Sequence, residues 1–536
     1  MSQTKTYRVF MLMHGVRVET GGMTRVMLNR SKMLSEMGHH VDLVTLDEGD
    51  YIGIRQRLRE LGRLGPRVGI INLYEDYRTR MSRPGWRLTR WRYRRAKRLA
   101  ERGFRVRREE TGQGVTAHYY RDGRMVKSKQ WNKSGRLTTM VYYDAKERPV
   151  LRLLYNRQGF AAVRQHLHPE LGQPSKVEYC TADGFVFLTR WYMPENGQMA
   201  AITLYDRFTG EERLFRDEFS FHVAWLNDLC RRQATRPFLI CDGIGSAPKV
   251  LAMDGDACYR IYPTHSTHLN APYTFGSPVK KSYQPILDHL HELDALVVPT
   301  RSQYDDVVRQ YGQRDNVFVI PHSVTPMQDM LLERDTKTVV MVSRLNPEKA
   351  IEEAIQVFAR VIQAVPEARL EIYGEGPCRA DLQKWIDDLG LRDKVRLMHY
   401  VTQVEKVFRK ASVMLLTSKF EGFSLVILES MWNKTPVVSY DINYGPRDII
   451  RDGETGYLVP PGDREQLAQR LSELLLHPER AQAMGERARM EIQTRYAEQV
   501  IGPLWERLFA ALERSRTFET SPAWEPVVAP LRQKET

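Results

Sequence analysis

The chain runs to 536 residues, 27% charged and 42% hydrophobic with no low-complexity tract, which predicts two to four water-soluble domains, each with its own core. Its net charge of +14 favours an anionic partner, while five scattered cysteines (Cys180, Cys230, Cys241, Cys258, Cys378) exclude a zinc or CxxC redox framework and read as reduced thiols of a cytoplasmic protein. The apolar run Val9 to Met13 is too short for a signal segment or a membrane span and no other run approaches eighteen residues, so membrane contact is expected to be peripheral at most, at the inner face of the cell membrane.

Tyr7 to Met13 is predicted as the first strand. Met23, Val26, Met27, Met33, Leu34 and Met37 then keep one helical face, Gly38 stops the helix, and His39 to Leu46 is the next strand. Gly21-Gly22 sits at the first turn of this βαβ start, where a backbone can approach a ligand closely; the pattern is not GxGxxG, so dinucleotide redox chemistry is poorly supported. Between Arg55 and Arg108 there are nineteen Arg or Lys, densest in Arg83 to Arg108. The plain account is the solvated face of an exposed helix; the sharper one is a platform for a nucleic acid, an anionic lipid or a phosphate-rich polymer. Trp86, Trp91 and Tyr93 interleave with the arginines, yet no nucleic-acid fold motif accompanies them, and nucleic acid is not an expected partner.

The α/β rhythm breaks near Leu73 and resumes at about Phe219. Inside the gap Tyr119, Trp131, Tyr143 and Tyr155 recur every twelve residues, as do Gly123, Gly135, Glu147 and Gly159; Tyr179, Tyr192, Tyr205 and Gly184, Gly197, Gly210 recur every thirteen. Aromatic, polar pair, glycine and alternation together predict strands joined by tight turns, an antiparallel β-meander inserted into an α/β domain. Such a module buries one face and offers the other for assembly or for an extended ligand, structural padding being the plainer alternative.

Strands resume at Pro237 to Cys241, Tyr259 to Tyr262, Ala295 to Pro299 and Val317 to Ile320. Asp242-Gly243 and His265-Ser266-Thr267-His268 follow the first two, at the strand ends where open α/β sheets bind ligands. The two histidines lack an evident third ligand, so hydrogen bonding is expected rather than metal. A polar connector, Thr325 to Thr336, separates a second α/β unit with strands Thr338 to Val342, Arg369 to Tyr373, Val395 to His399, Ser412 to Ser418 and Pro436 to Tyr440. Helical segments reach about Tyr496, one more amphipathic helix spans Pro503 to Arg514, and the last twenty or so residues look frayed.

Within that unit, Phe420-Glu421-Gly422-Phe423-Ser424-Leu425 turns from a buried strand into a helix that carries Glu429. Helix-opening amides lack intrahelical partners and sit at the positive end of the dipole, so the two carboxylates border a place suited to a phosphate. A carboxylate pair is also what a hydrolase uses, and chance acids on a strand-turn-helix unit are common. Arg344 and Lys349, after Ser343 at another strand end, add a fixed guanidinium and a mobile ammonium, a set suited to a diphosphate leaving group without metal.

With these residues in hand the chain resembles the retaining GT-B glycosyltransferases of family four, whose SR-x4-K and E-x7-E patterns fall here on Ser343, Arg344, Lys349, Glu421 and Glu429. GGMTRVMLNRSKML, CDGIGSAPK, the HSTH stretch and YDINYGPRDII around an inserted β domain resemble in particular the bacterial wall teichoic acid α-glycosyltransferases. The resemblance implies a GT-B fold: a first Rossmann-like domain in two parts (1–72 and 219–325), an inserted basic segment and β-meander (73–218), a nucleotide-sugar domain (326–500) and a C-terminal helix and tail (501–536). It implies Arg344 and Lys349 on the UDP diphosphate, Glu429 on the ribose, Glu421 on the donor sugar, and amides of Gly422, Phe423, Ser424 and Leu425 at the phosphates. It also implies His265 by the reacting side of the sugar, Gly21 and Gly22 lining the donor cleft with Ser343, and Gly374 near the base. The donor is expected to be UDP-glucose or UDP-N-acetylglucosamine, a choice that Phe423-Ser424 leaves open. The acceptor is expected to be a poly(glycerol phosphate) or poly(ribitol phosphate), with no cofactor or metal, and the inserted domain implies a homo-oligomer, often a trimer. A glycosyltransferase acting on Ser/Thr-rich protein and a non-catalytic polyanion-binding scaffold are the alternatives.

Overall fold

The computed structural model describes residues 5–18, 21–83, 86–112, 114–327 and 332–515. The frayed tail expected after Arg514 and the middle of the Thr325 to Thr336 connector lie outside the described residues.

Three sheets organise the chain. The first is parallel and built from β1 (Arg8–Met13), β2 (His40–Thr45), β3 (Gly69–Asn72), then, beyond the insertion, β14 (Phe238–Cys241), β15 (Tyr259–Pro263), β16 (Ala295–Val298) and β17 (Val317–Val319), in the order β17-β16-β15-β14-β1-β2-β3. The insertion is a ten-stranded antiparallel meander: β4 (Arg105–Thr111), β5 (Gly114–Arg121), β6 (Arg124–Asn132), β7 (Leu137–Tyr143), β8 (Pro149–Tyr155), β9 (Ala161–Leu167), β10 (Pro174–Cys180), β11 (Val186–Tyr192), β12 (Met199–Tyr205) and β13 (Glu212–Phe215), neighbours in sequence pairing throughout. The third sheet, again parallel, holds β18 (Asp335–Val342), β19 (Arg369–Tyr373), β20 (Val395–Leu397), β21 (Ala411–Leu416), β22 (Val437–Tyr440) and β23 (Gly456–Val459) in the order β20-β19-β18-β21-β22-β23. This is the two-domain α/β architecture with an inserted antiparallel sheet that the sequence predicts.

The meander turns explain its repeat. Gly123, Gly135, Gly159, Gly184, Gly197 and Gly210 all take positive φ, and Glu147, which stands where the repeat puts glycine, takes φ 59° as well. Glu147 accepts that backbone because its N–H donates to Asp144 O at 3.0 Å and its carboxylate takes the Met125 N–H at 2.6 Å. The first strand, β4, was not foreseen: the Arg-rich stretch splits into the helix Trp86–Ala96 and this edge strand rather than forming one exposed helix.

The insertion shares a core with the first domain. Tyr74, Tyr77, Val177, Tyr179, Phe187, Ile202, Phe221 and Trp225 pack into one buried cluster with Phe10, Leu12 and Leu239 of the parallel sheet. On the opposite face of that sheet Ile501, Leu504, Trp505, Leu508 and Phe509 pack on Tyr7, Val9, Met11 and Phe238. The last helix therefore crosses back to the first domain. It spans Glu498–Ser515, starting before the predicted Pro503, which lies inside it. Proline in the second turn forfeits only one backbone hydrogen bond there, and burial of the apolar face outweighs that loss.

Candidate active site

Both parallel sheets reverse direction of winding at one point, β1/β14 in the first and β18/β21 in the second, and crevices beyond the strand ends at such points are where open α/β sheets bind ligands. The turn after β21 meets, across the interdomain cleft, the loop after β15, the strand that neighbours β14. Contact is close enough that a Cβ on Gly422 would lie 2.5 Å from His265 O, so a side chain there would force the two backbones apart.

From the second sheet, the turn after β21 holds Glu421 in place. Ser418 Oγ donates to Glu421 Oε1 at 2.8 Å, Lys349 Nζ reaches the same oxygen at 2.6 Å, and the Glu421 backbone pairs with Asn443 O and Tyr444 N at 3.2 and 3.0 Å. Tyr444 in turn donates to Asp306 Oδ2 at 2.7 Å in the first domain. Ser424 follows in a left-handed conformation, φ 77°, and opens the helix Leu425–Trp432 without a side-chain cap, its hydroxyl buried and unpartnered. Phe423 is buried between the rings of His322 and Tyr496 at 5.2 and 5.7 Å. Ile427 N donates to Ser424 O at 3.1 Å, and the amides of Leu425 and Val426 before it open the helix beside Glu421.

After β18, Ser343 N donates to Tyr373 O at 3.0 Å, and Gly374 at φ 148° lets the two loops cross: a Cβ there would lie 1.8 Å from Ser343 O. Lys349 turns inward to Glu421, whereas Arg344, with a side chain 68% exposed, turns outward to Glu348 at 3.3 Å. The two cations expected to act together are thus apart in this arrangement.

From the first sheet comes a buried charge network. Asp242 Oδ1 accepts from Arg30 Nη1 at 2.8 Å and from His265 Nε2 at 2.9 Å. Burial by itself would raise the Asp242 carboxyl, but the Arg30 guanidinium and His265 outweigh it and hold its pKa below the ordinary carboxylate value. His322 stacks on His265 at 5.6 Å, and burial, with His265 and Arg30 nearby, pushes its imidazole well below the usual range, so it stays neutral. His268, whose Nδ1 lies 3.4 Å from Gln303 Nε2, stays in the interior as the hydrogen-bonded group that the sequence predicts. Among the described residues no group of three or more His, Cys, Asp or Glu is arranged around one point as metal ligands.

Gly21 caps the helix Gly22–Glu36 in an extended conformation, and neither Gly21 nor Gly22 has an atom within 4 Å of where a Cβ would be, so both border open space. One turn further, Arg25 crosses the cleft to the carboxylate of Glu429. Burial raises the Glu429 carboxyl, and Arg25 draws it back only in part.

Sequence reasoning missed Arg25, Arg30, Ser418 and Glu348. Arg30 left a signal: it interrupts the apolar stripe of Met27, Met33 and Leu34, and a charge on a buried stripe has a partner. Its guanidinium lies against Trp505 at 4.6 Å besides pairing with Asp242. Arg25 left none beyond its nearness to the glycine pair.

Residues 325–491 match the family model described as glycosyl transferases group 1. Along 94% of its length the chain is similar to a poly(ribitol-phosphate) alpha-N-acetylglucosaminyltransferase of Staphylococcus aureus (strain COL), 26% identical over 507 residues and 99% of that protein. A poly(glycerol-phosphate) alpha-glucosyltransferase of Bacillus subtilis (strain 168) is 26% identical over 381 residues, 69% of this chain and 54% of that one. The crystal structure of TarM superposes with a TM-score of 0.82 at 24% identity, covering 95% of this chain and all of the other, and fixes the fold as GT-B.

Proposed function

We propose that this chain is a retaining glycosyltransferase that moves glucose or N-acetylglucosamine from a UDP-sugar to hydroxyls of a poly(polyol phosphate) teichoic acid in the cytoplasm. The observation that carries the reading is the close approach of Gly422, after the switch-point strand β21, to His265, which follows β15 and pairs with Asp242 at the end of the switch-point strand β14. There a carboxylate with its ammonium partner, a helix opening and a buried Asp-His pair converge on one cleft. The similarity to teichoic acid glycosyltransferases over nearly the whole chain supports the choice of donor and acceptor class.

In this reading the UDP diphosphate lies at the opening of the helix Leu425–Trp432. Amides of Gly422, Phe423, Ser424 and Leu425 and the Lys349 ammonium take its charge, and Arg344 swings in from Glu348 to join them. Charge-assisted contacts of this kind act most on charge that grows as the sugar leaves. Glu429 holds the ribose, Gly374 borders the base, and Glu421 binds hydroxyls of the transferred sugar. Binding to Glu421 releases Lys349 toward the phosphate, so one event arms both groups. His265, oriented by Asp242, faces the reacting side of the sugar, and Gly21, Gly22 and Ser343 leave room for the donor. The acceptor hydroxyl attacks from the face that the diphosphate leaves, giving its proton to the departing phosphate oxygen, and the anomeric configuration is retained. No metal is required, because protein cations and amides already meet the diphosphate.

The active form is a homo-oligomer, a trimer, assembled through the inserted sheet. Exposed Trp191 and Leu214, both beside Thr203 on one face of that sheet, support this contact.

Incubation with UDP-glucose or UDP-N-acetylglucosamine and purified poly(glycerol phosphate), poly(ribitol phosphate) or a Ser-rich peptide tests the reading. Transfer to a polymer with an α-linkage by NMR is the expected result. Transfer to the peptide alone, or no transfer and no donor hydrolysis with any pair, would overturn it.

A further inference from the structure

The Arg-rich segment takes no part in the proposed reaction, and the structure sorts it into two layers of charge. The inner layer fastens it to the meander. Lys129, wholly buried, donates to the carbonyls of Ala96 and Arg98 at 2.5 and 2.9 Å, and both Lys127 and Lys129 pair with Glu101. Tyr119 Oη donates to Leu99 O at 2.7 Å and Trp131 Nε1 to Lys97 O at 3.3 Å. On the helix Trp86–Ala96 the stripe Thr89, Tyr93, Ala96 faces inward: Thr89 Oγ1 donates to Ala182 O at 2.9 Å and Tyr93 packs on Tyr155 at 6.1 Å.

The outer layer is the opposite stripe. Trp91, Arg94 and Arg95 stand three and four positions apart on one helical face, and Arg98 follows just past the helix end; Arg102 and Arg105 continue the surface along the loop into β4. All six are exposed, and among the described residues none of these arginines has a carboxylate within ion-pair distance. Trp91 is 59% exposed, with the Arg95 guanidinium 5.8 Å from its ring centre. A dissolved polyanion would be met by the arginines alone. An indole held in water among unpaired cations, on a helix whose other face is bolted down, matches what a bilayer interface rewards: an amphipathic ring at headgroup depth and basic side chains at acidic headgroups.

We propose that this surface docks the protein onto a negatively charged lipid bilayer, Trp91 entering the headgroup layer and Arg94, Arg95 and Arg98 facing acidic headgroups. Among the described residues no helix is long and apolar enough to cross a membrane, so attachment here is peripheral and reversible. The inference does not depend on the donor or acceptor of the proposed reaction.

The test is co-sedimentation of the full chain with vesicles of phosphatidylglycerol and phosphatidylcholine, against phosphatidylcholine alone and against inorganic polyphosphate as a soluble polyanion. Binding to the acidic vesicles and not to phosphatidylcholine alone, lost on adding salt and tighter than binding to polyphosphate, is expected. Arg94→Ala/Arg95→Ala/Arg98→Ala weakens it on the order of a hundredfold, since each basic residue at such a surface contributes about fivefold. Trp91→Ala weakens vesicle binding while leaving polyphosphate binding unchanged; unaltered thermal unfolding of both variants shows that they fold. No attachment to acidic vesicles, or a Trp91→Ala variant that binds them as tightly as the parent or loses polyphosphate equally, overturns the proposal. The last of these outcomes assigns the surface to a soluble polyanion.

Discussion

Arg25 and Glu429 join the two domains across the cleft: a guanidinium from the first turn of the helix Gly22–Glu36 pairs with a carboxylate buried in the helix Leu425–Trp432. Arg25→Ala leaves that carboxylate buried without its cation, and the Arg25 side chain is 40% exposed, so a cost of about 2 kcal/mol is expected rather than the full penalty of a wholly buried pair. The Glu429 pKa, already raised by burial, rises further in the variant. In the proposed role Glu429 holds the ribose in its ionised form, so UDP affinity should fall as pH drops and this carboxyl takes up its proton, and in Arg25→Ala the fall should begin at higher pH. Calorimetric titration of UDP between pH 5.5 and 8 reads this directly. Identical pH profiles for the parent and Arg25→Ala would remove Glu429 from the nucleotide site.

Glu421 carries the second prediction. Glu421→Gln keeps the shape and the Ser418 contact but gives up the negative charge that Lys349 meets at 2.6 Å. Transfer should drop by about a hundredfold or more, the scale of losing one preorganised polar contact to a transition state. The thermal midpoint should move by only a few degrees, and excess EDTA should leave the parent rate largely unchanged. Full turnover in the variant would place the centre elsewhere, and strict metal dependence would replace the amides and cations as the diphosphate's partners.

Much of this was readable in the sequence because it is local. The period of Met27, Met33 and Leu34 sets the first helix, the glycine repeat sets the meander turns, and Gly422-Phe423-Ser424 announces a strand-turn-helix junction. What escaped depends on the chain closing on itself. Arg25 and Glu429 are 404 positions apart, and nothing near either residue names the other. Arg344 is a case of local competition: its sequence position points to the cleft, while here its exposed guanidinium reaches Glu348, four positions on, at 3.3 Å. The Arg-rich segment looked uniform because composition does not show that its Glu101 is held by Lys127 and Lys129 of the distant strand β6 while its arginines are left outside.

Gly374 is where the loops after β18 and β19 cross. Its φ of 148° is one that L side chains rarely adopt, and an added Cβ meets the Ser343 carbonyl oxygen at 1.8 Å. Gly374→Ala should cost about 3 kcal/mol through strain and clash and displace the turn bearing Ser343 and Arg344. A raised KM for the nucleotide sugar with a lowered unfolding midpoint is the expected pair of readouts. A variant as stable as the parent would mean that the loop yields freely.

Buried imidazoles should make acid destabilise the protein already above the ordinary carboxylate range. The raised carboxyls of Glu429, Asp448 and Glu498, which take up protons earlier in the folded state, offset this in part. Burial, with nearby cations, lowers the imidazole of His222 to about 3 and that of His268 to about 4, and holds His322 well below the ordinary value. The unfolded chain takes up these protons near pH 6.5 while the folded chain refuses them, so the unfolded state binds more protons below that pH. Stability is therefore complete above about pH 6.5 and declines as pH falls toward the folded values, by at most about 1.4 kcal/mol per pH unit for each imidazole. Asp242, with a depressed carboxyl, adds its own loss only below the ordinary carboxylate range of about 3.9, which keeps the two effects apart. His222 isolates one contribution, because both of its ring nitrogens are buried without a hydrogen-bond partner. His222→Leu forfeits no hydrogen bond and removes one proton from the balance, so at pH 5 the variant should be about 2 kcal/mol more stable relative to the parent than it is at pH 7.5. Urea unfolding at the two pH values measures the difference, and equal acid sensitivity in parent and variant would show that His222 is reached by protons in the folded state.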